Sequence, residues 1–142
     1  MGAVALGNLV RIGRLKAEPS SEAEVGGLLQ MARNHLADAQ LDSVSLHGRF
    51  AGVYSACHAA ALAALRWHGY RSEHRFTVFQ CLEHTVQWEA ARWRMLDLAH
   101  QKRNRAEYEG VFDVEESTIA ELIVIARNLI TDVEKLAGSR TK

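Results

Sequence analysis

Residues 46–68 read LHGRFAGVYSACHAAALAALRWH, and this run decides the fold. Leu46, Phe50, Val53, Cys57, Ala60, Ala61, Ala64 and Leu65 recur at helical intervals and make one broad apolar face. The short side chains from Ala59 to Ala64 let another helix axis come close, which predicts the central, most buried helix of an all-α protein. Residues 50–65 lack Lys, Arg, Asp and Glu, yet the stretch contains Tyr54, Ser55 and His58 and is shorter than the roughly 20 residues a bilayer span requires. No membrane is expected as a partner.

Upstream, Ser21 and Glu24 have capping-box spacing, and Val25, Leu28, Leu29, Ala32, Leu36 and Ala39 continue the period to about Leu41. Downstream, Gly69 fits a C-terminal cap and residues 70–74 make a polar connection. A shorter helix then carries Phe76, Phe79, Leu82 and Val86 and breaks near 85–88. The next helix is expected to turn Ala91, Met95, Leu98 and Ala99 inward and to end before Gly110. Asp113 with Glu116 makes a second capping box, opening a last helix with Ile119, Leu122, Ile123, Ala126, Leu129, Ile130, Val133 and Leu136 inside and Gly138 at its close. Residues 1–19 show no firm period and end at Pro19, so an irregular N-terminal arm with at most a short strand or helical turn is expected there. Residues 20–138 then form a single antiparallel up-and-down bundle of four long helices plus a shorter one, followed by a flexible tail at 139–142.

Composition agrees with helices. Of 142 residues 48% are apolar, and 10 Gly with 1 Pro are too few turn residues for a sandwich of many short strands. The 17 basic and 17 acidic side chains cancel, so any RNA site has to be a local patch and not a general basic surface. Cys57 and Cys81 lie in apolar stretches and read as buried thiols of a reduced compartment. Met1 to Val10 is apolar and is followed, not preceded, by Arg11, Arg14 and Lys16, the reverse of a secretory signal, and Leu6 breaks the N-myristoylation pattern. A soluble, cytoplasmic protein is expected.

Seven histidines invite a metal, but no His-x-x-x-His pair or repeated Glu-x-x-His pair occurs, so neither a metal nor another cofactor is expected. Cys57 and His58, being neighbours on a helix, diverge by about 100° and make no dyad. Trp67, Trp88, Trp93 and Tyr70 are of a type that stacks on bases, although aromatic residues at helix ends more often anchor a core or a dimer interface.

The sharpest charge signal lies further on. Arg92, Arg94, Lys102, Arg103 and Arg105 face a single carboxylate, Asp97, between 92 and 105, whereas residues 107–121 hold six carboxylates and no cation. Complementarity to the two helix dipoles, at about 0.3 to 1 kcal/mol each, explains part of this. A cluster of Arg side chains is also how proteins grip phosphate with paired hydrogen bonds.

Arg103-Asn104-Arg105-Ala106-Glu107-Tyr108, at the end of the penultimate long helix, resembles the signature of the HEPN superfamily, in which an Arg and a polar residue are followed by a His four to six residues after the Arg. Arg49-Phe50, Tyr54-Ser55-Ala56, the Ala-rich run and Trp67-His68-Gly69-Tyr70 resemble the second helix of small prokaryotic HEPN proteins, and the likeness spans about residues 20–137. It implies a bundle that forms a homodimer with the two motifs facing each other across a cleft. Many such proteins are metal-independent endoribonucleases of toxin-antitoxin or defence systems, partnered by a minimal nucleotidyltransferase. Others only bind RNA, nucleotides or protein partners.

In the nuclease members the Arg stabilises the phosphate and the His assists proton transfer. Arg103 matches the Arg and Asn104 the polar position, while Tyr108 stands where the His is nearest due, so the implied catalytic set is Arg103, Asn104 and Tyr108. His100, Lys102, Arg105 and Glu107 are the implied binding neighbours, with His100, Asn104 and Glu107 on one helical face. A phenol with a pKa near 10 accepts a proton far less readily than an imidazole near 6.5, and acid-base help is worth about 10²–10⁴-fold, so the missing His argues for weak or absent catalysis. A non-catalytic module docking a nucleotidyltransferase or another protein is the alternative.

Overall fold

In the computed structural model, which describes residues 2–139, the chain runs through α1 (Gly2–Arg11), β1 (Lys16–Ala17), α2 (Glu22–Ala39), α3 (Leu46–Trp67), β2 (Tyr70–Arg71), α4 (Arg75–Gln80), α5 (Leu82–Thr85), α6 (Ala90–Glu109) and α7 (Glu116–Gly138). The protein is mostly helical, with one two-stranded antiparallel sheet pairing Lys16 with Arg71 and Ala17 with Tyr70. The four long helices read from the sequence are α2, α3, α6 and α7, and the shorter one is split into α4 and α5.

α3 is the core. Ser45 caps it by accepting from Gly48 N at 3.0 Å, and Phe50, Val53, Tyr54, Cys57, Ala60, Ala64 and Leu65 are all buried. α2 and α7 pack on it and on each other. A Cβ at Gly52 would stand 3.4 Å from His35 O and 3.5 Å from Ala39 Cβ, in van der Waals contact with α2, so a side chain larger than a methyl would meet that helix. α7 buries Ile119, Leu122, Ala126, Leu129, Ile130 and Val133, the expected stripe, with Ile123 and Leu136 partly buried beside it.

The two ends of α3 are fastened differently. At the C-terminal end Arg66, 1% exposed, places its five N–H donors on five acceptors: Glu24 Oε2 at 2.7 Å and Oε1 at 3.1 Å, Glu18 O at 2.9 Å, Tyr70 O at 3.2 Å and Pro19 O at 2.7 Å. Arg71 adds Nε to Glu18 Oε2 at 2.6 Å and Nη2 to Glu24 Oε2 at 2.8 Å. Hydrogen bonds from these guanidinium groups hold both carboxyls below the usual range. At the N-terminal end Phe112 packs edge-on against His47 and Phe50, pinning the connection between α6 and α7.

Several expectations are corrected. The N-terminal stretch is ordered: α1 buries Leu6 completely, packs on α5, and leads into β1. Gly2 and Gly7 weaken its helical signal, because helix propensity is low at Gly. At Ser21 half of the capping box forms. Its hydroxyl accepts from Glu24 N at 3.1 Å, but the Glu24 carboxylate is spent on Arg66 and Arg71. Asp113 and Glu116 make no capping box, since α7 begins at Glu116 with Glu115 as an N-cap that lacks a side-chain bond, and Glu116 reaches Arg49 at 3.5 Å instead.

α6 is turned relative to its expected face. Trp93, Leu96 and Ala99 point inward, whereas Ala91 is exposed and Met95 and Leu98 are 38% and 56% exposed. Both sets recur at helical spacing, and the large area of Trp93 decides between them. Of the tail, Ser139 bonds its hydroxyl to Leu136 O at 2.6 Å, and the expectation of flexibility for 140–142 lies outside the described residues.

Candidate phosphate site

Gly69 and Gly110, with φ of +88° and +70°, end α3 and α6 in the left-handed conformation that glycine adopts without strain, and Gln87, φ +56°, marks the break before α6. Between these turns, His100 and Arg103 in the C-terminal half of α6 lie against Tyr54 of α3, which Arg75 at the start of α4 also reaches. Six polar side chains meet there: Tyr54 and His58 from α3, Arg75 from α4, and His100, Arg103 and Asn104 from α6.

Tyr54, 1% exposed, is the hub. Its ring stacks on His100 with centroids 6.2 Å apart and 17° between planes, and meets the edge of Phe79 at 6.0 Å. Two guanidinium groups flank it, Arg103 with Cζ 5.4 Å and Arg75 with Cζ 5.5 Å from the ring centroid. Arg75 Nη1 also donates to the Tyr54 hydroxyl at 3.1 Å, and that hydroxyl lies 3.2 Å from His100 Nδ1. Burial raises the Tyr54 pKa above its ordinary value, an effect that Arg75 offsets in part, so the phenol keeps its proton at neutral pH.

Both histidines are neutral there as well. Burial, reinforced by the charges of Arg75 and Arg103 and by His100, pushes His58 down to about 4. Burial also lowers His100, with Arg75 and Arg103 adding to the shift and Asp97 opposing it. Asn104 Nδ2 approaches His100 Nε2 at 3.4 Å; with this amide as donor, Nδ1 carries the imidazole proton toward Tyr54 and Nε2 is the basic nitrogen.

The charge at the site therefore rests on Arg75 and Arg103. Arg103, whose side chain is 25% exposed, has one counter-ion, Glu107 at 3.2 Å on the next turn. Among the described residues Arg75 has no carboxylate within ion-pair distance. Glu107 pairs with Arg103 and Asp97 acts on His100 from nearby, so the partly desolvated Arg75 guanidinium, without a carboxylate at ion-pair distance among the described residues, is the cation left to suit a phosphate oxyanion beside Arg103.

Of the residues singled out from the sequence, Arg103, Asn104 and His100 come together here, and Glu107 restrains Arg103. Tyr108 does not join them. It is 80% exposed, one turn beyond Asn104, with no hydrogen-bond or ring partner among the described residues. Lys102 instead donates to Asp113 O at 3.0 Å and ties down the connection to α7. The exposed Arg105 offers its carbonyl to Gly110 N and Val111 N at the helix end. His58 and Arg75 escaped sequence reasoning. The one available signal for His58 is the Tyr54–His58 spacing of four, which puts both side chains on one face of α3.

Trp88 and Trp93 are core anchors and not stacking platforms: both are buried, with indole N–H groups on Asp132 Oδ2 at 2.8 Å and Glu83 Oε1 at 2.7 Å. Cys57 and Cys81 are buried free thiols that burial pushes up to about 12. Among the described residues no group of three or more His, Cys, Asp or Glu side chains is placed to hold a metal ion, and no helix is long and apolar enough to cross a membrane. Comparison of the chain with protein-family models, with curated proteins and with solved structures returns no match.

Proposed function

We propose that the protein is a HEPN-type antiparallel bundle that acts as a homodimer in the cytoplasm of a prokaryote, in a toxin-antitoxin or defence setting, and binds a phosphate group of RNA or a nucleotide between Arg75 and Arg103. The observation that carries this reading is the pair of guanidinium groups held against the Tyr54 ring, only one of which has a counter-ion. Both are partly shielded from water, where a charge-assisted bond to phosphate is worth about 1.5 to 3 kcal/mol.

The same cluster supplies what metal-independent RNA cleavage asks for. Attack of a ribose 2′-hydroxyl on the adjacent phosphorus forms one P–O bond and breaks another, to the 5′-oxygen, while the 2′-proton leaves to a base and the leaving oxygen takes one up. His100 Nε2, unprotonated at pH 7, takes the first proton, the leaving oxygen takes its own from water, and the buried Tyr54 hydroxyl, held by Arg75, orients the imidazole through Nδ1. In this scheme His100, oriented by Tyr54, fills the proton-transfer role that Tyr108 leaves vacant. The test is cleavage of single-stranded RNA by the purified protein in excess chelator, for wild type and Arg103→Ala. Cleavage lost in the variant supports a nuclease. Intact RNA with retained, Arg103-dependent binding supports a binding protein. Neither cleavage nor Arg103-dependent binding sinks the reading.

A second reading, a non-catalytic module docking a nucleotidyltransferase or other protein, is favoured by the apolar surface beside the site. Phe76 and Leu98, 39% and 56% exposed, line a groove of about 450 Å³ with Trp93, and Met95 lies next to it on α6. This surface would also serve the homodimer, since exposed apolar patches mark interaction faces.

A further inference from the structure

His58 is the titratable member of the polar cluster with no part so far in phosphate binding or proton transfer. It stands on α3 one helical turn after Tyr54, and one ring packs against both: Phe79 of α4 meets Tyr54 with centroids 6.0 Å apart and His58 at 5.9 Å, edge to face in each case. The imidazole is thereby held beside the ring that carries Arg75, Arg103 and His100.

The charges around His58 are lopsided. Burial is the largest cause that keeps it neutral, and Arg75 from α4 with Arg103 and His100 from α6 act in the same direction. On α3 itself Tyr54 keeps its proton and Cys57 is a buried thiol. The carboxylates of the neighbouring helices are engaged elsewhere: Glu107 with Arg103, Asp97 with Gln101, and Glu83 of α5 with the Trp93 indole. Among the described residues no carboxylate of an element packed on α3 acts on His58.

An imidazole beside two cations, with no anion of its own, is placed to respond to one. A phosphate between Arg75 and Arg103 would cancel the two charges that repel the proton and set an opposite charge on the same side. An opposite charge at about 4 to 6 Å favours the protonated form by about one to three powers of ten. Linkage then makes the effect mutual, so that proton and ligand tighten each other's binding by the same factor.

We propose that His58 is a third cation for the ligand's phosphate, neutral in the free protein and protonated when an oxyanion settles between Arg75 and Arg103. The proposal rests on the phosphate reading of that guanidinium pair and adds a proton to it, so that the anion binds more tightly under mildly acid conditions. His58 is a binding group in this account, and the proton transfer stays with His100.

The test is nuclear magnetic resonance of the imidazole signals during titration with inorganic sulfate, an oxyanion of constant charge from mildly acid to neutral pH, at fixed ionic strength. Wild type, His58→Asn and Arg103→Ala are compared. Sulfate should bind wild type about fourfold to tenfold more tightly at about pH 5.5 than at about pH 7.5, and at the lower pH the His58 signal should move from its neutral to its protonated position as sulfate saturates. In His58→Asn the pH dependence should shrink to the share of His100. The wild-type signal reads the proton on His58 directly, so the outcome does not depend on the variant folding. A His58 signal that stays neutral at saturation, with sulfate binding still lost in Arg103→Ala, overturns the proposal and leaves the guanidinium pair standing. Equal pH dependence in wild type and His58→Asn does the same. Sulfate binding that is absent, or indifferent to Arg103, overturns the phosphate reading and this proposal with it.

Discussion

The Tyr54 hydroxyl lies 3.2 Å from His100 Nδ1, and this contact joins the middle of α3 to the motif-bearing helix α6 across 46 positions of sequence. It fixes the imidazole on the Arg103 side of α6 and, through Arg75 on the same hydroxyl, couples the start of α4 to the site. Tyr54, not Tyr108, is accordingly the tyrosine on which the site depends. Tyr54→Phe should weaken RNA binding several-fold and cost about 1 kcal/mol of stability, the worth of a typical hydrogen bond. Tyr108→Phe should change neither beyond twofold. Titration binding with chemical denaturation on both variants checks this, and equal losses in the two would contradict it.

Stability should fall on mild acidification because of His58. Its pKa in the folded protein is about 4, against about 6.5 when unfolded, so between these values the unfolded chain binds more protons. Stability is then full above about pH 6.5 and declines as pH drops through the window, by about 2 kcal/mol between pH 7 and 5 from this group, with His100 acting in the same direction. Glu18 and Glu24, with lowered values, keep their contribution above pH 4.5 and do not confuse that interval. Urea unfolding at pH 7 and 5 should show the decline in wild type and a smaller one in His58→Phe.

Arg66 should be among the least replaceable residues in the chain. Arg66→Ala leaves the Glu24 carboxylate with Arg71 as its remaining guanidinium partner and takes the Arg66 donor from three backbone carbonyls, and breaking a buried ion pair from one side costs about 3 to 5 kcal/mol. Arg33→Ala, which opens the exposed pair with Glu134, should cost under about 1 kcal/mol. Equal midpoints for the two variants in denaturant would show that the Arg66 network is not holding the N-terminal segment to α3.

For the proposed homodimer, Leu98→Asp places a charge on the exposed apolar face of α6 while leaving Trp93, Leu96 and Ala99 in the core. Sedimentation should then report a dimer for wild type and a monomer for the variant, with thermal stability of the monomer fold little changed. A wild-type monomer at micromolar concentration, or a dimer indifferent to the substitution, removes this face from the interface.

Local signals were the legible ones. Ser21, Gly69 and Gly110 mark element ends because capping chemistry is confined to neighbouring residues, the stripes of α2 and α7 are legible because each has one dominant apolar face, and α3 is legible because it is apolar nearly all round. α6 carries two competing faces, and the choice belongs to the helices it meets. Arg66 illustrates the same limit in the core, since its partners other than Tyr70 lie 42 to 48 positions away and no periodicity announces them. At the site, Arg103, Asn104 and His100 are readable as one segment. Arg75 sits on a different helix and His58 on a third, and only folding brings them close enough for the charges of Arg75 and Arg103 to act on His58.

The most direct measurement is the affinity of wild type, Arg75→Ala and Arg103→Ala for a single-stranded RNA at fixed salt. Arg75 and Arg103 gripping phosphate together predicts that each substitution weakens binding by about tenfold to a hundredfold, the equivalent of about 1.5 to 3 kcal/mol. Affinity unchanged in both variants would contradict the central claim and leave the paired guanidinium groups as a structural brace for Tyr54.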